Sequence, residues 1–445
     1  MNYADFWKGK RVAVVGLGPR GEMRADIRFL QKTGIQSLAV YDMRGKAAVR
    51  PFLVDLTVSK DKPVEFSFGS VSGNNLSQHD LIILSPDIPR SVSFLKEIKD
   101  RSIQIEYPDV LALKLAPAIT VVGVMGSCGK TAIINMLSNT LKKGFNSAGL
   151  PMPLLVDCES TSGSLSVLSK AKKDSLVLIR MPDYLLAEYD KIHFAPHIAI
   201  MAVSPAVKNP FALMAYQTYT NFLITTDELA DAFHDSAPER KNTKIIRTSA
   251  SRFPSEWHSI TLNQYEREDA ALVLETASLF KIDRSFVKNA IEEYAAKKNV
   301  GGMRFVKKSK GVLFYDDSLS DRPEATVAAL RFLSGNGDPG AITLIMGGAT
   351  VDTDYELLLT AISQYARQVV LVPGSGTVSL RKKIAALEGI KSFSAPSIEA
   401  AVKLARSESH AGDRVLYSPA LAAAGYDRSR PERGERFVKA VRGLW

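Results

Sequence analysis

Val121-Val122-Gly123-Val124-Met125-Gly126-Ser127-Cys128-Gly129-Lys130-Thr131 runs from an apolar strand through a glycine-rich turn into a helical segment, Ala132 to Leu141. This succession reads as a cradle for a nucleoside triphosphate. Glycines let the backbone approach phosphate oxygens, and the N–H groups that open the helix point at them. Lys130 reaches the β/γ region, and Thr131 is placed to ligate Mg²⁺. The spacing departs from the usual phosphate loop, which has a glycine five places before the Gly-Lys pair; that place is Val124 here, and the glycines fall at 123, 126 and 129.

The 445 residues are too many for one ordinary core and suggest about three domains. With 46% apolar and 23% charged residues and no low-complexity tract, the composition is that of a soluble globular chain. No apolar run reaches the length of a membrane span, and Met1 to Lys10 lacks the apolar centre of a signal peptide, so a cytoplasmic location is expected. Two cysteines, Cys128 and Cys158, make neither a disulfide framework nor a zinc site. The formal charge of +10 suits anionic partners. Without an aromatic-interleaved basic stripe, nucleotides and phosphorylated metabolites are favoured over nucleic acid.

Strands alternate with helices from the start. Arg11 to Val15 is a strand, Gly16-Leu17-Gly18-Pro19-Arg20-Gly21 a turn, Ala25 to Lys32 a helix, and Leu38 to Tyr41 a strand ending on Asp42. This is a Rossmann-like opening, in which a G-x-G-x-x-G turn and an acidic residue about 20 positions later hold a nucleotide's phosphates and ribose. Asp80 to Leu84 and Ile103 to Tyr107 are further strands, with the turn Ser85-Pro86-Asp87-Ile88-Pro89 after the first and a helix from Val92 to Lys99 between them. Around the phosphate loop, Leu176 to Arg180, His197 to Val203 and Phe222 to Thr225 read as buried strands, and Leu262 to Phe280 as mostly helical. After the polar, glycine-rich Lys297 to Gly302 come strands at Val312 to Tyr315, Ala341 to Met346, Gln368 to Val372 and Arg414 to Tyr417.

The Gly-x-x-Gly-x-x-Gly-Lys-Thr rhythm resembles the loop of the Mur ligases, which build peptidoglycan precursors. The first segment is similar to the uridine-nucleotide-binding domain of the D-glutamate-adding branch of that family, with Asp87 in place of a glycine in the Ser-Pro-Gly-Ile-Pro turn. The likeness continues through Met303-Arg304-Phe305, Tyr315-Asp316-Asp317-Ser318, Ile345-Met346-Gly347-Gly348, Tyr417-Ser418-Pro419-Ala420 and Arg433-Gly434-Glu435-Arg436-Phe437. It implies a three-domain α/β architecture: a Rossmann-like UDP-substrate domain (1–115), a central P-loop ATPase domain (116–300) and a Rossmann-like C-terminal domain (301–445). It also implies an ATP-dependent ligase that adds D-glutamate to UDP-N-acetylmuramoyl-L-alanine through an acyl phosphate. ATP would be held by Gly126, Ser127, Gly129, Lys130, Thr131, Arg304 and Asp317, and Mg²⁺ by Thr131. Gly16, Gly18, Gly21, Asp42, Ser85 and Ser418 would hold the UDP-linked muropeptide, with Lys130 and Arg180 as the catalytic candidates. Neither nucleic acid nor membrane insertion is implied; a monomer is expected, in possible association with other cell-wall enzymes.

The departures from the family pattern concentrate on its second metal site. In Leu178-Ile179-Arg180-Met181-Pro182-Asp183, Arg180 stands where the family has a metal-binding glutamate. A cation there either takes the place of the metal or pairs with a phosphate or carboxylate, and Asp183 reads as a solvated acid. From Ser204 to Phe222 the expected Asp-His and the carbamoylated lysine are missing, Lys208 being the nearest lysine. Glu266-Arg267-Glu268-Asp269 replaces an Asn-x-x-Asn helix start, and Leu319 and Ala349-Thr350 replace residues near the incoming amino acid, with Arg322 a substitute charge. Two alternatives therefore stay open: a non-catalytic relative or scaffold that retains nucleotide binding, and a ligase for a different amino-acid acceptor.

Overall fold

The computed structural model describes residues 3–18, 21–57, 62–98, 101–126, 129–158, 160–202, 220–236, 243–260, 262, 264–297, 303–334, 342–349, 355–423 and 430–444. The fold is α/β, and packing divides the chain into two compact units, the second beginning for most of its length at Glu292. Ser127, Cys128 and the segment 203–219, which includes Lys208, lie outside the described residues.

The first unit contains two parallel sheets. In one, the strands β1 (Arg11–Val15), β2 (Ser37–Asp42), β3 (Glu65–Phe68), β4 (Leu81–Leu84) and β5 (Gln104–Glu106) are ordered β3-β2-β1-β4-β5. Strand order reverses between β1 and β4, so the turns that follow these two strands open side by side, where doubly wound folds bind ligands. The second sheet is built from β6 (Thr120–Met125), β7 (Leu154–Val156), β8 (Leu176–Arg180), β9 (Ile198–Met201), β10 (Phe222–Thr226) and β11 (Lys244–Thr248), ordered β11-β10-β9-β6-β8-β7. Its central strands β6, β8 and β9 are almost wholly buried, as parallel strands covered by helices on both faces must be.

The second unit holds β12 (Arg304–Ser309), β13 (Val312–Asp316), β14 (Ile342–Met346), β15 (Ala366–Leu371), β16 (Lys391–Ser394) and β17 (Arg414–Tyr417), ordered β12-β13-β17-β14-β15-β16. Among the strands of the described residues, only β12 runs antiparallel to its neighbour. Its hairpin turns at Lys310 (φ 45°) and Gly311 (φ 86°), two left-handed residues whose twist suits tightly paired strands. The expected strands all form, within a residue or two at most ends. The helix expected from Val92 to Lys99 is shortened to Ser93–Lys96, and β3, β7, β11, β12 and β16 were not anticipated. These five lie toward the sheet edges, and three of them have only four residues or fewer.

Within the first unit, a buried carboxylate joins the layers of the two sheets. Asp26, on the helix Arg24–Gln31, accepts the backbone N–H groups of Ser164 (3.1 Å), Leu165 (2.8 Å) and Ser166 (3.2 Å). Asp109 accepts the Ser164 hydroxyl and faces the Tyr189 hydroxyl at 3.4 Å. Burial raises the Asp26 carboxyl to about 7 and that of Asp109 to about 6, the hydrogen bonds offsetting only part of the effect. In the unfolded chain both ionise near the ordinary carboxylate value of roughly 4. The folded chain thus binds more protons between those limits, and this contribution to stability is lost as pH rises through the folded values. Thermal melts should show wild-type stability declining from about pH 4 to about pH 7, and Asp26→Asn should flatten that decline. An unchanged slope in the variant would remove Asp26 as its source.

Candidate active site

β6 delivers the phosphate loop at the centre of the second sheet, and the helix Lys130–Ser147 leaves from it. The three glycines do different work. Gly123 lies within β6, where a Cβ would meet Met181 Sδ at 2.6 Å and Pro196 Cγ at 2.8 Å, so it is needed for packing. Gly126 (φ 121°) passes against the Ala202 carbonyl, and Gly129 (φ 70°) turns left-handed at the helix start against the Asp269 carboxyl. The loop proper is therefore Gly126 to Thr131, which explains why Val124 is tolerated: it is a buried strand residue.

Lys130 Nζ donates to the Gly126 carbonyl and lies 3.3 Å from Asp183 Oδ1. Asp183, read from sequence as solvated, instead starts a short 3₁₀ turn after β8 and faces the loop lysine. Parallel register pairs Val124 with Arg180, which sets the arginine at the end of β8 beside the loop. Its Nη2 donates to Thr131 Oγ1 at 3.0 Å, and its Nε lies 2.9 Å from Asp157 Oδ1, just past β7. At 3% exposure, Arg180 is fixed in place and not a mobile surface charge. Asp269, on the helix Gln264–Leu279, is buried against the loop; burial, then the charges of Glu266 and Glu268, raise its carboxyl well above the usual range.

These contacts bear on Mg²⁺. The Thr131 hydroxyl expected to hold the ion accepts a guanidinium N–H, and the nearby carboxylates Asp157 and Asp183 face Arg180 and Lys130. Among the described residues no cluster of three or more histidine, cysteine or acidic side chains offers a metal site. The residues present do not fit a magnesium ion at Thr131.

At the first sheet, Gly16, Gly18 and Gly21 all have positive φ, between 78° and 84°. Ser85, fully buried, donates its hydroxyl to Asp87, and a Cβ on Gly16 would strike Ser85 Cβ at 2.8 Å and Ile88 Cδ1 at 2.7 Å. Asp87 thus adds a side-chain bond to a turn that the Ile88 N–H to Ser85 carbonyl bond (2.9 Å) already closes. Asp42 braces the glycine turn: Oδ2 accepts Leu17 N–H (3.0 Å) and Arg44 Nη2 (2.7 Å), while Oδ1 accepts Arg44 N–H (2.9 Å) and Nε (2.8 Å). Burial would raise the Asp42 carboxyl, but the hydrogen bonds from Arg44 and Leu17 outweigh it and hold the group below the usual range. Arg44 also donates to the Gly18 carbonyl at 3.0 Å, putting a partly exposed cation at the turn. Sequence reading passed over it, although a basic residue two places after the strand-ending acid is a visible signal.

In the second unit, Asp317 Oδ2 accepts the hydroxyls of Ser320 (2.6 Å) and Ser418 (2.7 Å), and Ser418 also meets Thr326 Oγ1 at 2.7 Å. Arg304 Nη2 lies 3.5 Å from the buried Asp316. Gly347 and Gly348 follow β14, and a Cβ on Gly348 would crowd the Ala422 carbonyl. The expected residues Asp317 and Ser418 are thereby brought together, as β13 and β17 are neighbours.

Family models match at residues 10–106 (Mur ligase MurD-like, N-terminal domain) and 301–421 (Mur ligase, glutamate ligase domain). The chain thus carries a Mur ligase domain in its N-terminal part and another in its C-terminal part. It is 25% identical to the UDP-N-acetylmuramoylalanine--D-glutamate ligase of Caldanaerobacter subterraneus subsp. tengcongensis, with 98% of this chain and 99% of the relative covered. The protein of the same name from Koribacter versatilis is 24% identical, with 98% of each covered. Among solved structures, the UDP-N-acetylmuramate-alanine ligase MurC of Thermotoga maritima shares the fold at a TM-score of 0.58 and 16% identity, over 97% of this chain and 99% of that one.

Arg433 is a further residue whose role the sequence left undefined. Its guanidinium, 2% exposed, donates to the carbonyls of Leu421 (2.8 Å), Ser318 (2.8 Å) and Ser320 (3.3 Å), tying the loops that carry Asp317 and Ser418 to the last helix. Gly434 lets that helix approach Ser318, whose side chain a Cβ would meet. Arg433→Ala orphans three carbonyls at about 1–3 kcal/mol each, so a loss of roughly 3 kcal/mol or more is expected in chemical denaturation. Wild-type stability in the variant would show that these bonds do not brace the loops.

Proposed function

We propose that this chain is an ATP-dependent ligase of peptidoglycan precursor synthesis that joins D-glutamate to UDP-N-acetylmuramoyl-L-alanine. The observation that carries the reading is the phosphate loop at the centre of a parallel sheet, in a chain similar along nearly its whole length to ligases of that name. ATP's phosphates would lie along Gly126 to Thr131, with Lys130 turning from Asp183 to the γ-phosphate as charge builds on its oxygens. The alanyl carboxylate attacks the γ-phosphorus and ADP leaves; the neutral amine of D-glutamate then attacks the acyl carbon, releasing phosphate and a proton. Gly16, Gly18, Gly21 and Ser85 would receive the uridine diphosphate, with Arg44 supplying positive charge and Asp42 shaping the turn. Arg304, Asp317 and Ser418 are the proposed contacts in the second unit. Such a protein would act in the cytoplasm as a monomer. No helix among the described residues is long and apolar enough to cross a membrane.

One observation favours a second reading, a nucleotide-binding relative without turnover: Arg180 occupies the place of a metal-binding carboxylate. Mass-spectrometric detection of the new amide together with ADP, from purified protein with ATP, Mg²⁺, UDP-N-acetylmuramoyl-L-alanine and D-glutamate, separates the two. The ligase reading expects both products, and Lys130→Ala should reduce their formation by about 100-fold or more. ATP binding without product would transfer the assignment to the second reading, whereas unchanged product formation by Lys130→Ala would overturn the assigned loop.

A further inference from the structure

The edge of the second sheet opposite the phosphate loop carries an unbalanced charge. Parallel strands begin at one edge and end at the other, so the segments that lead into β6, β7 and β8 lie together, at the far end of these strands from Gly126 to Thr131. Lys170, Lys172 and Lys173 are exposed in the turn before β8, which Asp174 N–H ties to the entry of β6 through the Ala118 carbonyl (2.8 Å). Lys142 is exposed in the last turns of the helix Lys130–Ser147, and Lys281, also exposed, follows the helix Gln264–Leu279. Those two helix ends pack together: Phe145 meets Phe280 with ring centroids 6.0 Å apart, and a Cβ on Gly144 would meet Ile282 at 2.8 Å. None of the five lysines makes an ion pair among the described residues. Asp174 and Asp283 sit among them, Asp283 accepting Ser285 N–H at 2.8 Å, and the lysines leave the edge net positive. The same edge exposes two apolar side chains, Leu150 and Met152, each 51% accessible, in the segment that leads into β7. Leu150 N–H returns to the Phe145 carbonyl (2.9 Å), and β7 lies beside β8 with Leu154 opposite Val177, so both side chains stand close to the lysines.

We infer that this edge is a docking surface for an anionic lipid bilayer, onto which the chain adsorbs without crossing it. Charge and apolarity together point to that partner. Lysine ammonium groups are hydrated point charges that attract a negative headgroup layer without requiring a fixed geometry. Apolar side chains set among such charges enter the boundary between headgroups and acyl chains, which removes Leu150 and Met152 from the water to which the fold leaves them exposed. A nucleic acid would engage the lysines but would give these two side chains nothing to bury into. Adsorption here keeps the phosphate loop, at the other end of the same strands, on the side away from the bilayer. The inference stands independently of the nucleotide reading.

Co-sedimentation of the full chain with vesicles, either of phosphatidylcholine alone or of equal parts phosphatidylcholine and phosphatidylglycerol, tests this. Wild type should pellet with the mixed vesicles at low ionic strength, be released by high salt, and bind phosphatidylcholine at least about tenfold more weakly. The triple variant Lys170→Gln, Lys172→Gln, Lys173→Gln should lose about tenfold or more in affinity for the mixed vesicles. Leu150→Ser with Met152→Ser should lose about threefold or more. All five positions are exposed, so these changes leave the core untouched, and circular dichroism checks the fold. No pelleting with mixed vesicles, equal pelleting with both kinds, or wild-type affinity in the triple lysine variant overturns the inference. Wild-type affinity in the Leu150→Ser, Met152→Ser variant would make the edge a site for polyanions in general and overturn the bilayer assignment. Should a variant not fold, the wild-type preference for mixed vesicles and its loss in salt decide alone.

Discussion

Parallel strands impose the constraint on which every candidate site in this protein depends. Neighbours that run the same way cannot be joined by a tight turn, so the chain must cross back over a face of the sheet, and all the strands' ends then share one edge. Where a later strand enters between or beside earlier ones, loops distant in sequence become neighbours. β4 beside β1 sets the Ser85 turn against Gly16, β8 beside β6 sets Arg180 against Thr131, and β17 between β13 and β14 sets Ser418 against Asp317. The same topological device thus appears in all three sheets, and the chemistry differs only in the side chains placed at the edge.

Buried polar groups then fix those loops. Asp42 uses both carboxylate oxygens to hold its glycine turn, Asp317 gathers two hydroxyls, and Arg433 satisfies three carbonyls from two loops. Each is a group that would be costly to bury without such partners. Acidic residues at strand ends are commonly read as ligand contacts. In this chain Asp42 and Asp317 accept hydrogen bonds from neighbouring turns, and the partly exposed Arg44 lies beside the glycine turn.

Arg180 is the exception to the family pattern and its environment gives it a physical role. A buried cation survives only when paired, and here Asp157 supplies the pairing on one side and a hydroxyl dipole on the other.

Local patterns in the sequence determined the central elements, because continuous apolar runs bounded by glycine, proline or polar residues leave few choices besides buried strands: β1, β4, β6, β8, β14 and β17 were legible in this way, as were the glycine turn at Gly16 and the loop at Gly126 to Thr131. Edge strands such as β3, β7 and β16 were not legible, being short and only partly buried, so their pattern is weak. The substitution at Arg180 could be read as a departure, but its meaning could not. That meaning depends on Thr131 and Asp157, which lie 49 and 23 positions away in the chain and meet it only through strand order and register. The sequence by itself determined the central strands and the glycine loops, because hydrophobic period and glycine content act locally. Only the tertiary structure decided which side chains share a loop's edge, because crossover connections set that, and no local pattern encodes it.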